Sequence, residues 1–207
     1  MPKILVVDDH PAICFAAKAV LEHEKDFEVV TSHGGQLLNL IRQHAPQLLI
    51  LDIALDNEDG LLLIPRIRQH YPECKILIHS GLSVHLYAER ALRAGAEGFI
   101  SKQTSLNDLL PACHLILKGY VLFPAQSFTL PHTVKYGDRQ AFLAALSNRE
   151  LVVLRLFQEG KTNKAIAEQL TLSHKTISTY KARILDKSAA TSFDQLIVWL
   201  QGDSHAK

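Results

Sequence analysis

Asp8, Asp9, Asp52, Ser80 and Lys102 are the residues whose types and order suggest joint chemistry in this 207-residue chain. Asp8 and Asp9 follow the apolar run Ile4–Val7, Asp52 closes Leu48–Leu51, Ser80 follows Ile76–Ile78, and Lys102 follows Gly98–Ile100. Three carboxylates gathered within a few ångströms repel one another, and a divalent cation relieves that strain. Oxygen-only ligation favours Mg²⁺, which keeps several waters and takes one or two protein carboxylates. A free Asp52 oxygen could then attack a phosphoryl group in line. Mg²⁺, the Lys102 ammonium and the Ser80 hydroxyl would share the charge on its equatorial oxygens. Each residue alone has an ordinary reading: a turn or cap for the aspartates, a turn for Ser80 before Gly81, and a solvated lysine. The functional reading comes from the whole set arriving in order at the ends of four separate apolar runs, with Asp8 and Asp9 sharing the first.

Those apolar runs have strand length. With Phe27–Val30 they make five, and amphipathic stretches separate them: Ile13–Leu21, Leu37–Ile41, Leu61–Ile67 and Val84–Leu92. A fifth helical stretch, Leu106–Leu117, follows the last run, and Ser105-Leu106-Asn107-Asp108 has the hydroxyl and acid spacing of a helix start. Strict alternation predicts an α/β fold with a parallel sheet covered on both faces. Convergence of the five side chains requires the flavodoxin-like strand order 2-1-3-4-5, which puts the site at the carboxyl ends of the strands.

Gly119, Pro124, Pro131 and Gly137 interrupt this rhythm, so 119–145 reads as a linker, partly ordered around Tyr120–Pro124. Helical patterning resumes with Ser147-Asn148-Arg149-Glu150, a capping box in which serine and glutamate satisfy each other's backbone amides. Ser192-Phe193-Asp194-Gln195 repeats the device. Four helices are expected, at about 147–158, 162–170, 174–187 and 192–201. The middle pair has helix-turn-helix spacing. Ala167 is the small residue at the crossing, Ile166, Leu170, Leu172, Ile177 and Tyr180 are apolar contacts, and Ser173 caps the second helix. That helix presents Lys175, Thr176, Ser178, Thr179, Lys181 and Ala182 outward, which suits phosphate and short-range base contacts in a major groove.

Bulk properties agree with two units facing different partners. Residues 1–125 carry 11 basic against 14 acidic side chains, and 146–207 carry 9 against 6, so the front is acidic and the back basic. A polyanion suits the back. Cys14, Cys74 and Cys113 are odd in number and lack CxxC spacing, which argues against a disulfide framework or a zinc site. The eleven histidines show no ligand spacing next to cysteines or carboxylates. No run approaches the length of a membrane span, and Ile4–Val7 stops at two aspartates, unlike a signal peptide. A cytoplasmic protein without membrane partners is expected.

Residues 1–118 resemble the receiver domain of two-component response regulators. Val6-Val7-Asp8-Asp9-His10-Pro11, Leu51-Asp52 with Gly60 eight residues on, His79-Ser80-Gly81, and Gly95-Ala96-Glu97-Gly98-Phe99-Ile100-Ser101-Lys102 carry the likeness. The resemblance implies that Asp52 accepts a phosphoryl group from a sensor histidine kinase or phosphotransfer protein. It further implies that Asp8, Asp9, Asp52 and the Ala54 backbone carbonyl surround Mg²⁺, that Ser80 is the switch hydroxyl, and that Phe99 is the switch aromatic. Asp56 stands where relatives carry proline, and Glu58 and Asp59 add charge. The expectation is a more mobile loop and weaker phosphoryl retention or kinase docking, with the receiver still active.

Residues 146–207 are expected to form a DNA-binding domain, and 146–201 within them resemble the LuxR-type helix-turn-helix of NarL/FixJ response regulators, closest to the BvgA/EvgA-like subgroup. The match lies in Leu146–Glu150, Gly160–Ala167, Leu172–Ile177 and Ser178–Leu185, with Gly119-Tyr120 and Phe123-Pro124 in the linker. This implies a homodimeric transcription factor, not an enzyme, whose sequence-specific binding to double-stranded DNA is controlled through Asp52. Ser178 and Ala182 replace frequent basic residues, so affinity per half-site should be modest. The alternative is a dimeric DNA-binding regulator that uses the receiver as a scaffold, independent of phosphorylation. A haloacid-dehalogenase-like phosphatase is disfavoured, because Asp8-Asp9-His10 lacks an Asp-x-Asp.

Overall fold

The computed structural model describes residues 1–23, 26–55, 60–125, 139–188 and 190–201. Asp56, Glu58 and Asp59, and with them the expectation of a looser loop, lie outside these residues. The chain divides into two compact units, Met1–Leu130 and Pro131–Lys207.

In the first unit strands and helices alternate as β1 Lys3–Val7, α1 Pro11–Glu22, β2 Glu28–Ser32, α2 Leu37–His44, β3 Leu48–Leu51, α3 Gly60–His70, β4 Lys75–Ser80, α4 Val84–Ala94, β5 Gly98–Ser101 and α5 Leu109–Leu117. Every strand pair is parallel, and the order is β2-β1-β3-β4-β5, as the convergence of the five side chains requires. Ile4, Val6, Leu48, Ile50 and Leu77 pack with Cys14, Ala17 and Leu21 of α1 and with Leu109, Ala112, Cys113 and Ile116 of α5. The strand positions of opposite parity, Leu5, Val7, Leu49, Leu51, Ile76 and Ile78, are equally buried. Both faces are therefore covered, which is why the strands read as unbroken apolar runs. Burial of each such side chain stabilises by about 1.5–3 kcal/mol, so the sheet is a rigid base for whatever its ends carry. Ser105 accepts a hydrogen bond from the Asn107 amide and caps a short 3-10 turn, Leu106–Asp108, before α5 begins.

The stretch expected as a linker is structured at both described ends. Leu122 pairs with the edge of β5, accepting from the Phe99 amide at 2.9 Å and donating to the Glu97 carbonyl at 2.8 Å. Residues 126–138 lie outside the described set. Residues 139–145 form a short helix, α6 Arg139–Ala145, that pattern reading missed. Phe142 of α6 lies edge-on to Trp199 at 5.7 Å.

The four expected helices follow as α7 Asn148–Gln158, α8 Asn163–Gln169, α9 His174–Asp186 and α10 Phe193–Gln201. The Ser147–Glu150 capping box is formed in both directions. Ser192 accepts from the Gln195 amide at 3.2 Å, but the Gln195 side chain turns to Thr191 instead of closing a second box. Ser173 caps α9 through the Thr176 amide at 3.0 Å. Thr171 turns the chain between α8 and α9 with φ +54°, a left-handed conformation that strains a β-branched residue. Ile166, Ala167, Leu170 and Ile177 are buried where α8 and α9 cross.

Candidate functional site

Parallel strands that start in register also end in register. Val7 of β1 lies beside Leu51 of β3, and Leu51 beside Ile78 of β4. The residues just beyond these, Asp8, Asp52 and His79, therefore emerge together, with Ser80 closing β4 and Lys102 one step past β5. Gly60 makes this end compact. A Cβ there would lie 2.6 Å from Ile53 Cα and 2.8 Å from the Asp52 carbonyl oxygen, so only glycine lets α3 start this close to Asp52.

The Asp52 carboxylate, almost fully buried, is held from three directions. Oδ1 accepts from the Ser80 hydroxyl at 2.8 Å and from the Ala54 amide at 2.9 Å, and Oδ2 accepts from Lys102 Nζ at 2.6 Å. Lys102 Nζ also lies 2.6 Å from Asp8 Oδ2, so one ammonium bridges two buried carboxylates. Burial alone would push the Lys102 pKa down. The hydrogen bonds and charges of Asp52 and Asp8 more than offset it and raise the value. Asp9 completes the acidic wall. Its Oδ1 is buried and accepts no well-directed hydrogen bond.

The structure thus brings together Asp8, Asp9, Asp52, Ser80 and Lys102. Phe99 lies in β5, buried in the core and paired in register with Ile78. Ala54 meets Asp52 through its amide nitrogen. One histidine joins the group, contrary to the expectation that none stands in ligand spacing to a carboxylate. His10 presents Nδ1 to Asp9 Oδ1 at 2.6 Å and to Asp8 Oδ1 at 3.3 Å. One atom each from Asp8, Asp9, His10 and Asp52 lies within 4.8 Å of the others. The charge of Asp9 raises the His10 pKa. His79 is buried one step beyond Ile78, and burial, helped by the Lys102 charge, pushes its pKa down. Position was the available signal for His10, which directly follows the two aspartates. An acidic pocket of this composition is compatible with Mg²⁺, since its carboxylate oxygens are the donors this ion takes.

In the second unit α9 leaves Lys175, Ser178, Thr179 and Ala182 exposed, and Thr176 partly so. Several hydroxyls are engaged locally: Thr176 with Ser173 at 2.7 Å, Ser178 with the His174 carbonyl at 3.1 Å, and Thr179 with the Lys175 carbonyl at 3.0 Å. Asn163 Nδ2 donates to Ser178 Oγ at 3.3 Å, tying the start of α8 to the middle of α9. Lys181 was expected to point outward. Its ammonium instead lies over the Phe157 and Phe193 rings, at 5.2 and 4.7 Å from their centres.

Comparison with known proteins agrees with both halves. Residues 4–114 match the response regulator receiver domain, and 144–200 match the bacterial regulatory proteins of the luxR family. BvgA of Bordetella pertussis is 38% identical over 201 residues, 94% of each chain. The DNA-binding transcriptional activator EvgA of Escherichia coli K12 is 31% identical, covering 95% of this chain and 96% of its own. Among solved structures, the response regulator RcsB in its DNA complex superposes with a TM-score of 0.70 at 26% identity, covering 96% of this chain and 98% of that one. The chain belongs to the NarL/FixJ-type response regulators, transcription regulators that join a receiver domain to a LuxR-type helix-turn-helix.

Proposed function

We propose that Asp52 is the phosphoacceptor of this response regulator and that its phosphorylation controls dimerisation and DNA binding. The supporting observation is the Asp52 carboxylate itself, pinned by Ser80, Lys102 and the Ala54 amide beside Asp8 and Asp9. A sensor histidine kinase or phosphotransfer protein donates the phosphoryl group. As the phosphorus–oxygen bond to Asp52 forms, the phosphorus–nitrogen bond to the donor imidazole breaks. Asp8, Asp9, Asp52 and the Ala54 carbonyl would hold Mg²⁺, which would supply charge neutralisation for the transferring group. Lys102 moves from bridging two carboxylates to pairing with the new phosphoryl oxygens. Ser80 turns its hydroxyl from Asp52 Oδ1 to the same oxygens, and Phe99 is the aromatic that responds. The chain is a switch rather than an enzyme, and it works in the cytoplasm as a homodimer.

On DNA, α9 lies in the major groove. Lys175, Thr176, Ser178, Thr179 and Ala182 face the duplex, and Lys181, on its long flexible stem, leaves the two rings for a phosphate. The RcsB–DNA complex is the support from a relative of the same architecture. Acetyl phosphate tests the first step. Mg²⁺-dependent labelling of the intact chain is expected to vanish in Asp52→Asn, and undiminished labelling of that variant rejects the assignment.

A further inference from the structure

His10 is a group in the pocket that the phosphoryl chemistry leaves unused. Its Nδ1 lies 2.6 Å from Asp9 Oδ1 and 3.3 Å from Asp8 Oδ1. Together with Asp8, Asp9 and Asp52 it offers one donor atom from each of four residues within a 4.8 Å spread. A cation with bonds of about 2.1 Å closes such a spread with small side-chain rotations. The backbone sets the ring's position. Pro11 restricts the preceding residue to extended conformations, and His10 has φ −96° and ψ 106°. Its amide donates to Asp8 Oδ1 at 2.9 Å, fastening the same residue to the carboxylate wall. Beside the ring, the buried Asp9 Oδ1 has no well-directed hydrogen bond.

We propose that His10 enters the cation site as a nitrogen ligand through Nδ1 and moves its preference from Mg²⁺ toward transition metals. The proposal rests on the reading that the pocket holds a divalent cation. Mg²⁺ selects oxygen donors and gains little from an imidazole. Transition metals gain more, and in the order Mn²⁺, Co²⁺, Ni²⁺. The competing arrangement is a protonated ring serving as an internal counter-ion to Asp9. An incoming cation would have to displace that ring, so its removal would strengthen binding of every divalent ion. The two arrangements predict opposite signs.

Full-length wild type and His10→Gln are titrated calorimetrically with Mg²⁺, Mn²⁺ or Ni²⁺ alone, and the Mn²⁺-loaded proteins are examined by pulsed EPR. The expected result is a loss on the order of 10-fold for Mn²⁺ and more for Ni²⁺, with Mg²⁺ nearly unchanged. ¹⁴N modulation should appear in wild type and disappear in both His10→Gln and Asp9→Asn, which separates this site from the other histidines. Equal or tighter binding of all three ions to His10→Gln, or nitrogen modulation that persists in it, overturns the proposal. Normal Mg²⁺ and Mn²⁺ binding without nitrogen modulation in wild type removes His10 alone. No binding of either ion removes the cation reading as well.

Discussion

Lys102 places one positive charge between two buried carboxylates, and the pocket's electrostatics turn on that placement. Lys102→Met leaves Asp8 and Asp52 facing each other without a counter-charge. Breaking a buried ion pair costs about 3–5 kcal/mol when nothing else compensates. The melting temperature of the variant is therefore expected to fall in metal-free buffer and to recover with millimolar Mg²⁺ by more than wild type gains. Thermal denaturation with and without Mg²⁺ checks this, and equal gains for both proteins would contradict a shared pocket. Asp8, Asp9, Asp52, Ser80 and Lys102 were legible as a set because they mark the ends of four separate apolar runs, and the ends of adjacent parallel strands converge. His10 and His79 were not, for different physical reasons. His10 joins through the 2.6 Å approach of its Nδ1 to Asp9 Oδ1, which depends on the backbone conformation beside Pro11, and His79 continues an apolar run, so only the register shows that it sits beside Asp52.

Helix starts carry much of the local order in both units, and two of them give measurable consequences. Gly60→Ala forces a Cβ into backbone atoms of Ile53 and Asp52. The expected cost is about 1–3 kcal/mol from overpacking, together with reduced acetyl phosphate labelling as Asp52 is displaced. A variant with normal stability and normal labelling would show that α3 has other freedom. At the start of α7, Glu150 accepts from the Ser147 amide at 2.7 Å and pairs with Lys187 at 2.7 Å. Burial alone would raise its pKa, but the Lys187 and Ser147 contacts prevail and lower it. The stability from this depressed pKa is present in full above the ordinary value of 4.5 and is lost as pH falls through the lower folded value. Glu150→Ala should thus cost about 1–2 kcal/mol at pH 7 and progressively less below pH 4.5. Unfolding followed by the fluorescence of the single tryptophan, Trp199 of α10, reads this directly. A pH-independent cost would remove the ionic share of the cap. Ser147-Asn148-Arg149-Glu150 was readable because a capping box is local. Order around Tyr120–Pro124 was expected, but its form, Leu122 paired with β5, and the α6 helix were hidden, because tertiary contacts hold an edge segment and a short helix amid turn-forming residues.

At the scale of the molecule, an acidic front and a basic back divide the labour that the two family signatures describe. Their order along the chain was legible from the sequence because alternating strands and helices give way to purely helical spacing. Coupling between the units has a thermodynamic form: phosphorylation shifts a population, and the DNA affinity shifts by the same free energy that DNA returns to phosphorylation. Such couplings amount to roughly 5- to 150-fold in affinity. With Asp52 as phosphoacceptor, chemistry there sets the affinity of α9 for DNA. The most direct test uses duplex DNA selected from a random pool by the phosphorylated protein. Fluorescence anisotropy then compares wild type and Asp52→Asn, each with Mg²⁺ and with or without acetyl phosphate. Phosphorylated wild type is expected to bind on the order of 10-fold tighter, and Asp52→Asn is expected not to respond. Equal affinity in all four conditions would contradict this coupling, leaving a DNA binder that its receiver does not switch.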